Sequence, residues 1–169
     1  MTGFIGEKEY EGEDAQRGRF LTFVIGDNVY GLPIKFVTEI IGIQPATKVP
    51  ETPDYVKGII NLRGRIIPLI DMRLKLGKEE IPYNQRTCVI VIDVDSIDAG
   101  LIVDKVKDVL TLEDRHITQA PSGGMFGFDN YYLEGVGKAG DTVLLLLDAE
   151  RLLRAEEMEM IESTPAENE

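Results

Sequence analysis

Gly58-Ile-Ile-Asn-Leu-Arg-Gly-Arg-Ile-Ile-Pro-Leu-Ile-Asp-Met-Arg73 is the stretch on which the fold turns. Two strand-like apolar segments, Ile59 to Leu62 and Arg65 to Ile70, flank a tight turn at Arg63-Gly64. The pattern predicts a rigid hairpin with Arg63 projecting from its tip. Pro68 has no N–H to give to a ladder, so the second strand is expected at an edge or a bulge. Asp71 to Leu76 is expected to form one helical turn closed by Gly77.

Outward from this hairpin, short apolar segments alternate with Gly, Pro, Asn and Asp. On the N-terminal side, Phe20 to Ile25 and Val29 to Leu32 are joined by Gly26-Asp27-Asn28, a second hairpin. Pro33 can open a brief helical turn before the β-branched run Val37 to Ile43. Pro45, Pro50 and Pro53 then enforce a loop, in which Thr52-Pro53 reads as the N-cap and first position of a short helical turn.

On the C-terminal side, a polar connector from Glu79 to Arg86 precedes strand signals at Thr87 to Asp93, Ala99 to Asp104, Val106 to Leu112, Tyr132 to Val136 and Thr142 to Leu147. Asp148 to Ser163 reads as a helix with Asp148 as N-cap, Leu152, Leu153, Met160 and Ile161 on its apolar face, and Glu150–Arg154 as an i,i+4 pair.

The reading is all-β, about ten short strands with one helix at the end. Small closed barrels suit it, because closure removes exposed edges. The Ile81-Pro82 region splits the strands into two sets of about five, which predicts sub-barrels at residues 19–82 and 83–147, with strand exchange between them left open. Residues 1–18 read as a mobile tail, 148–163 as the helix and 164–169 as a frayed end.

Composition narrows the function. Thirty acidic residues against 18 Lys and Arg give a net charge of −12, which repels phosphate backbones and anionic lipid. The apolar fraction of 43% suffices for a core. The single cysteine, Cys88, cannot pair internally and reads as a buried, inert thiol in a reducing compartment. No signal peptide and no span of transmembrane length is visible. These traits together predict a cytoplasmic protein.

A search for chemistry finds no constellation. The lone His116 has no Ser or Cys nucleophile motif beside it, and the glycine-rich Ser122 to Gly127 lacks the Lys-Ser/Thr of a phosphate cradle. Asp93, Asp95 and Asp98 fail the calcium-loop pattern, with Asp98 at the glycine position and Asp104 at the glutamate position. Phe126, Phe128, Tyr131 and Tyr132 have Asp129 and Glu134 beside them, not the cations a base-stacking platform needs. The expectation is therefore no catalytic, cofactor-binding or metal-binding residues. Interaction chemistry remains. Val37, Glu39 and Ile41 alternate on one face of a strand, and Arg63 offers a planar fork suited to a carboxylate. That carboxylate belongs either to a partner or to Asp71 or another acid of the same barrel.

Gly58-Ile-Ile-Asn-Leu-Arg-Gly64, followed by Ile67-Pro68 and Asp71-Met-Arg73, resembles the signature of the CheW-like domain family. Phe20-Leu-Thr-Phe with Tyr30-Gly31, Val37-Thr-Glu-Ile40, Thr52-Pro53, Gly100-Leu-Ile-Val-Asp104 and Leu152-Leu153 extend the likeness from about Phe20 to Ile161. The resemblance implies two intertwined SH3-like five-stranded barrels sharing a core, plus the C-terminal helix, and no enzymatic activity. It implies a chemotaxis adaptor, recruited to membrane-associated receptor arrays, that couples chemoreceptor cytoplasmic tips to the regulatory domain of the histidine kinase CheA. The alternative within the family is a scaffold for another kinase pathway, governing pili or development.

Receptor helices are expected in a groove between the barrels, and the kinase domain barrel to barrel. Carried over by position, the partner-binding residues are Val37, Glu39, Ile40, Asn61, Arg63, Gly64, Val103 and Asp104. Ile117 to Met125 corresponds to a second kinase contact. There Thr118-Gln119 and Ser122-Gly123-Gly124 replace the family's charged and aromatic features, which counts against ring closure through that end.

Overall fold

In the computed structural model, residues 17–119 and 131–153 are described here. They contain eleven strands, β1 to β11 in chain order. One sheet runs β8-β1-β2-β11-β10-β9 and the other β3-β6-β7-β5-β4. The first sheet is built from β1 (Arg19–Ile25), β2 (Asn28–Pro33), β8 (Lys105–Thr111), β9 (Ile117–Gln119), β10 (Leu133–Ala139) and β11 (Thr142–Leu147). The second holds β3 (Val37–Gly42), β4 (Val56–Leu62), β5 (Arg65–Asp71), β6 (Cys88–Val94) and β7 (Ile97–Val103).

The two sheets do not follow the two halves of the chain. The strand exchange left open by the sequence takes place: β6 and β7 pair into the N-terminal half's sheet, while β11 pairs in parallel with β2 from Leu144↔Val29 to Leu146↔Gly31. Local strand signals carry no record of which partner a strand will choose. The first sheet also has six strands, not five. The extra one, β9, spans only Ile117–Gln119, and three residues are too few for alternation to register.

Each sheet rolls into a small SH3-like barrel, and the apolar residues sort accordingly. In β6, Val89 and Val91 face their own barrel with Ile60, Leu62, Ile67 and Leu69, whereas Ile90, Ile92 and Val94 face the first barrel. A strand buried on both faces reads as an uninterrupted apolar run, which is what Val89 to Ile92 is. In the first barrel, Phe20, Leu112, Leu144 and Leu146 form the private core, while Leu21, Phe23, Ile25, Tyr30 and Leu32 join the shared one. Fully burying each such side chain is worth roughly 1.5–3 kcal/mol, so the shared layer fuses the barrels into one unit.

Helix α1 (Met72–Lys75) follows β5, with Asp71 accepting from the N–H groups of Arg73 and Leu74; Gly77 follows at φ 81°. Helix α2 (Ala149–Leu153) is capped by Asp148, which accepts from Arg151 N at 3.0 Å, and its Leu152 and Leu153 are buried in the shared core. The Glu150–Arg154 pair, Met160, Ile161 and the rest of the C-terminal segment lie outside the described residues, as do residues 1–16.

Three local expectations change. Pro68 lies in a strand paired on both sides, but β7 joins β5 only from Leu69↔Gly100 onward, so no ladder on that side asks for its missing N–H. Thr52-Pro53 forms a turn and no helix: the Thr52 hydroxyl donates back to Val49 O, and Val56 N donates to Pro53 O. Cys88 is half-buried at the start of β6, with Sγ 3.3 Å from Arg86 O.

Candidate partner-binding site

The β4–β5 turn holds two residues in the left-handed region, Arg63 at φ 52° and Gly64 at φ 90°. Positive φ at both central positions is the type I′ geometry, which matches the right-handed twist of the flanking strands. Asn61 secures it by accepting Gly64 N at 2.8 Å. Gly64 suits its place for the usual steric reason. Arg63 does not: a long side chain in this region costs on the order of 1 kcal/mol, where Asn or Gly costs little. Asp95 and Ser96 hold a similar turn between β6 and β7, but short polar side chains tolerate that conformation.

Arg63 Nη2 donates to Glu39 Oε2. Glu39 lies on β3 and Arg63 beyond β4, the two outer strands of the second sheet. Their pairing, with Ile41 of β3 packed on the same core cluster that holds Ile60 and Leu62 of β4, shows how the sheet curls back on itself. Arg63 is therefore held by an acid of its own barrel, and that acid is Glu39. Asp71, the other candidate, is buried at the far end of β5, where it caps α1 and accepts the Tyr83 hydroxyl at 2.8 Å. The Arg63 side chain remains 67% exposed, so it keeps donors facing solvent.

Glu39, Asn61, Arg63 and Gly64 thus meet at one end of the second barrel. Ile40 follows Glu39 on the opposite face of β3 and is 44% exposed, and Ile66 beside Arg65 is 57% exposed. Ile66 escaped the sequence reading, since alternation along β5 marks its face but not what covers it. Val37 is half-buried against the shared core.

Val103 and Asp104 belong elsewhere. Val103 is buried in the shared core, because β7 is covered on both faces. Asp104, at the crossover from the second sheet to the first, is the centre of a clasp. Arg73 Nε donates to its two oxygens at 3.0 and 3.2 Å, and Arg73 Nη2 donates at 3.0 Å. Gly26 N, in the β1–β2 turn, donates to Oδ2 at 2.8 Å, and Asp104 N donates to Val24 O. The hydrogen bonds to Asp104 hold the Arg73 guanidinium above its ordinary pKa. One carboxylate thereby ties the first barrel to α1 of the second.

The remaining polar candidates also have local employment. Asp93 accepts Ser96 N in the β6–β7 turn, and Asp98 pairs with Arg65 at 2.7 Å. Among the described residues no group of three His, Cys, Asp or Glu side chains is placed to hold a metal. His116 Nδ1 accepts Glu113 N, closing a capping box at the entrance to β9. Tyr131 and Tyr132 meet edge to face, and Tyr132 shares Lys75 Nζ with Tyr55 at 4.9 and 4.1 Å from the ring centroids. Phe126, Phe128 and Ser122 to Gly127 lie outside the described residues.

A recess of about 630 Å³ opens on the first barrel, floored by Phe20, Pro33, Phe36, Ile117 and Leu146. Lys35 and Arg19 border it together with Glu134, whose pKa is raised by burial and then by the charge of Asp148. No helix among the described residues is long and apolar enough to cross a membrane.

Comparison with known proteins agrees with this architecture. The solved scaffolding protein TtCheW from Thermoanaerobacter tengcongensis superposes with a TM-score of 0.78 at 31% identity, covering 85% of this chain and 97% of that one. The chemotaxis protein CheW of Klebsiella aerogenes is 37% identical over 163 residues, 96% of this chain and 97% of the relative. That of Bacillus subtilis is 32% identical over 138 residues, 82% and 88% of the two chains. Residues 19–157 match the family described as CheW-like domain, and the chain belongs to that family.

Proposed function

We propose that this protein is a non-catalytic chemotaxis adaptor whose Arg63 turn is a recognition element for the CheA regulatory domain or a chemoreceptor tip. The observation that carries the site is conformational. An arginine occupies the left-handed position of a type I′ turn where asparagine would sit without strain, and its guanidinium is oriented by Glu39 yet mostly exposed. Backbone strain retained beside a charge that does little for stability is what a binding residue looks like.

Asn61 and Gly64 set the turn and Glu39 aims the fork, while Ile40 adds exposed apolar surface on the opposite face of β3 and Val37 packs that strand against the shared core. Family membership supports the adaptor role and is the ground on which the receptor tip and the kinase domain are proposed as partners. Coupling of a receptor to a kinase needs two separate footprints on one rigid body, and the shared core provides that rigidity. The recess floored by Phe20, Phe36 and Leu146 lies on the first barrel, not in the groove between the barrels that the family resemblance implies; its apolar floor and mixed-charge rim suit helix-in-groove recognition, and it is our candidate footprint for a receptor helix.

Two binding experiments test this. Calorimetry of the intact protein against the CheA regulatory domain and, separately, a receptor-tip fragment is expected to show one of the two weakened about tenfold or more by Arg63→Asp. Unchanged binding to both would remove Arg63 from the site. Amide shifts on adding the receptor fragment are expected around Lys35, Phe36 and Ile117; shifts confined elsewhere would relocate that footprint.

A further inference from the structure

Beside the Arg73–Asp104 clasp, the connector that follows α1 covers a cleft of about 250 Å³ where the two barrels meet. Val24 and Lys105 line it from the first barrel, Arg73 and Ile102 from the second, and Ile81, Tyr83 and Arg86 from the connector. The connector is pinned there: the Tyr83 hydroxyl donates to Asp71, and Asn84 N donates to Thr87 Oγ1.

The inner wall is polar but chemically closed. Arg73 spends its fork on Asp104 and its Nη1 on Glu79 O, while Asp71 is occupied by two backbone N–H groups and Tyr83. The outer wall is open. Arg86 and Lys105 are exposed, and no described residue pairs with either charge. Acids are not scarce in this chain, which has 30 against 18 bases. The charged lining is Arg73, Arg86 and Lys105 against Asp71 and Asp104, so the cleft carries one net positive charge on a strongly negative protein.

We infer that this cleft receives a glutamate-bearing segment of an acidic protein partner. The side-chain methylenes lie on Val24 and Ile81, and the carboxylate meets Arg86 and Lys105. A carboxylate between two cations at the edge of a low-dielectric wall forms charge-assisted hydrogen bonds, stronger than those it leaves in water by enough to orient it. The site is separate from the Arg63 turn: β5 runs from one to the other, a distance of roughly 20 Å for seven extended residues. It stands whether or not the assignment of Arg63 does.

The test is an amide-shift titration of the full chain with a blocked Ala-Glu-Leu-Glu-Ala peptide, its Ala-Gln-Leu-Gln-Ala counterpart, and inorganic phosphate. The expected result is saturable shifts at Asn84, Arg86, Thr87 and Lys105 with the glutamate peptide. The double variant Arg86→Ser/Lys105→Ser is expected to bind it about tenfold or more weakly, with an unchanged unfolding midpoint because both side chains are exposed. Equal binding of the glutamine peptide, equally strong shifts at these amides with phosphate, unchanged affinity in the double variant, or no saturation below about 10 mM would each overturn it.

Discussion

Two arginine–carboxylate pairs in this protein have the same chemistry and opposite consequences. Arg73–Asp104 is largely enclosed, its side chains 18% and 23% exposed, with the fork engaging both carboxylate oxygens. Arg63–Glu39 is open, with Arg63 at 67%, and only one guanidinium nitrogen is engaged. The first pair also satisfies a backbone N–H of the other barrel, whereas the second closes one barrel on itself. An enclosed, fully bonded pair punishes the loss of either member, because the survivor keeps its desolvation cost. An exposed pair is worth little to folding and remains available for binding. The lesson is that identical residue types divide into structural and recognition roles by what surrounds them.

The comparison can be broken most forcefully at Asp104. Asp104→Ala leaves the Arg73 guanidinium and Gly26 N without their acceptor, and is expected to cost about 2–3 kcal/mol in urea unfolding. A loss below about 0.5 kcal/mol would place the clasp in the same class as the surface pair. Arg73→Lys keeps the charge but loses the fork, and should cost about 1–2 kcal/mol by the same measurement.

At the other pair the expected sign reverses. Arg63→Asn relieves the left-handed strain and should raise stability by about 0.5–1 kcal/mol while weakening partner binding. Destabilisation with unchanged binding would make the Glu39 pair purely structural.

The smallest effect lies on the alkaline limb. Burial, and next the hydrogen bond to Asp71, raise the Tyr83 pKa. A raised folded pKa gives stability that is fully present below the unfolded value near pH ~10 and is lost as pH rises past it toward the folded value. Tyr83→Phe should flatten the fall in unfolding midpoint above pH ~10. An unaltered slope would show that the connector opens before Tyr83 ionises.

Legibility followed the range of the interactions. The Arg63-Gly64 hairpin, the α1 turn closed by Gly77 and the α2 cap at Asp148 were readable because each involves residues a few positions apart. Glu39 as the partner of Arg63 was not, since the pair joins residues 24 apart through barrel closure. Val103 and Asp104 stand in one motif, Gly100 to Asp104, that marks a segment without saying which of its residues are buried. The structure puts Val103 inside the shared core and Asp104 in the clasp. Cys88 missed its expected burial because it begins its strand, where the alternation of β6 outruns the core.

By itself, the sequence determined an all-β chain of short strands, an acidic surface, the hairpin with a charge at its tip and the family to which these belong. The family is carried by motif resemblance, and the other traits by composition, by a period of two and by turn residues acting on their neighbours. Tertiary structure alone decided the exchange of strands between barrels, the double-sided burial of β6 and the assignment of one arginine to a clasp and another to a surface. Register, closure and burial are relations between distant segments, and a carboxylate acquires its role only when folding sets which cation, and how much water, it meets.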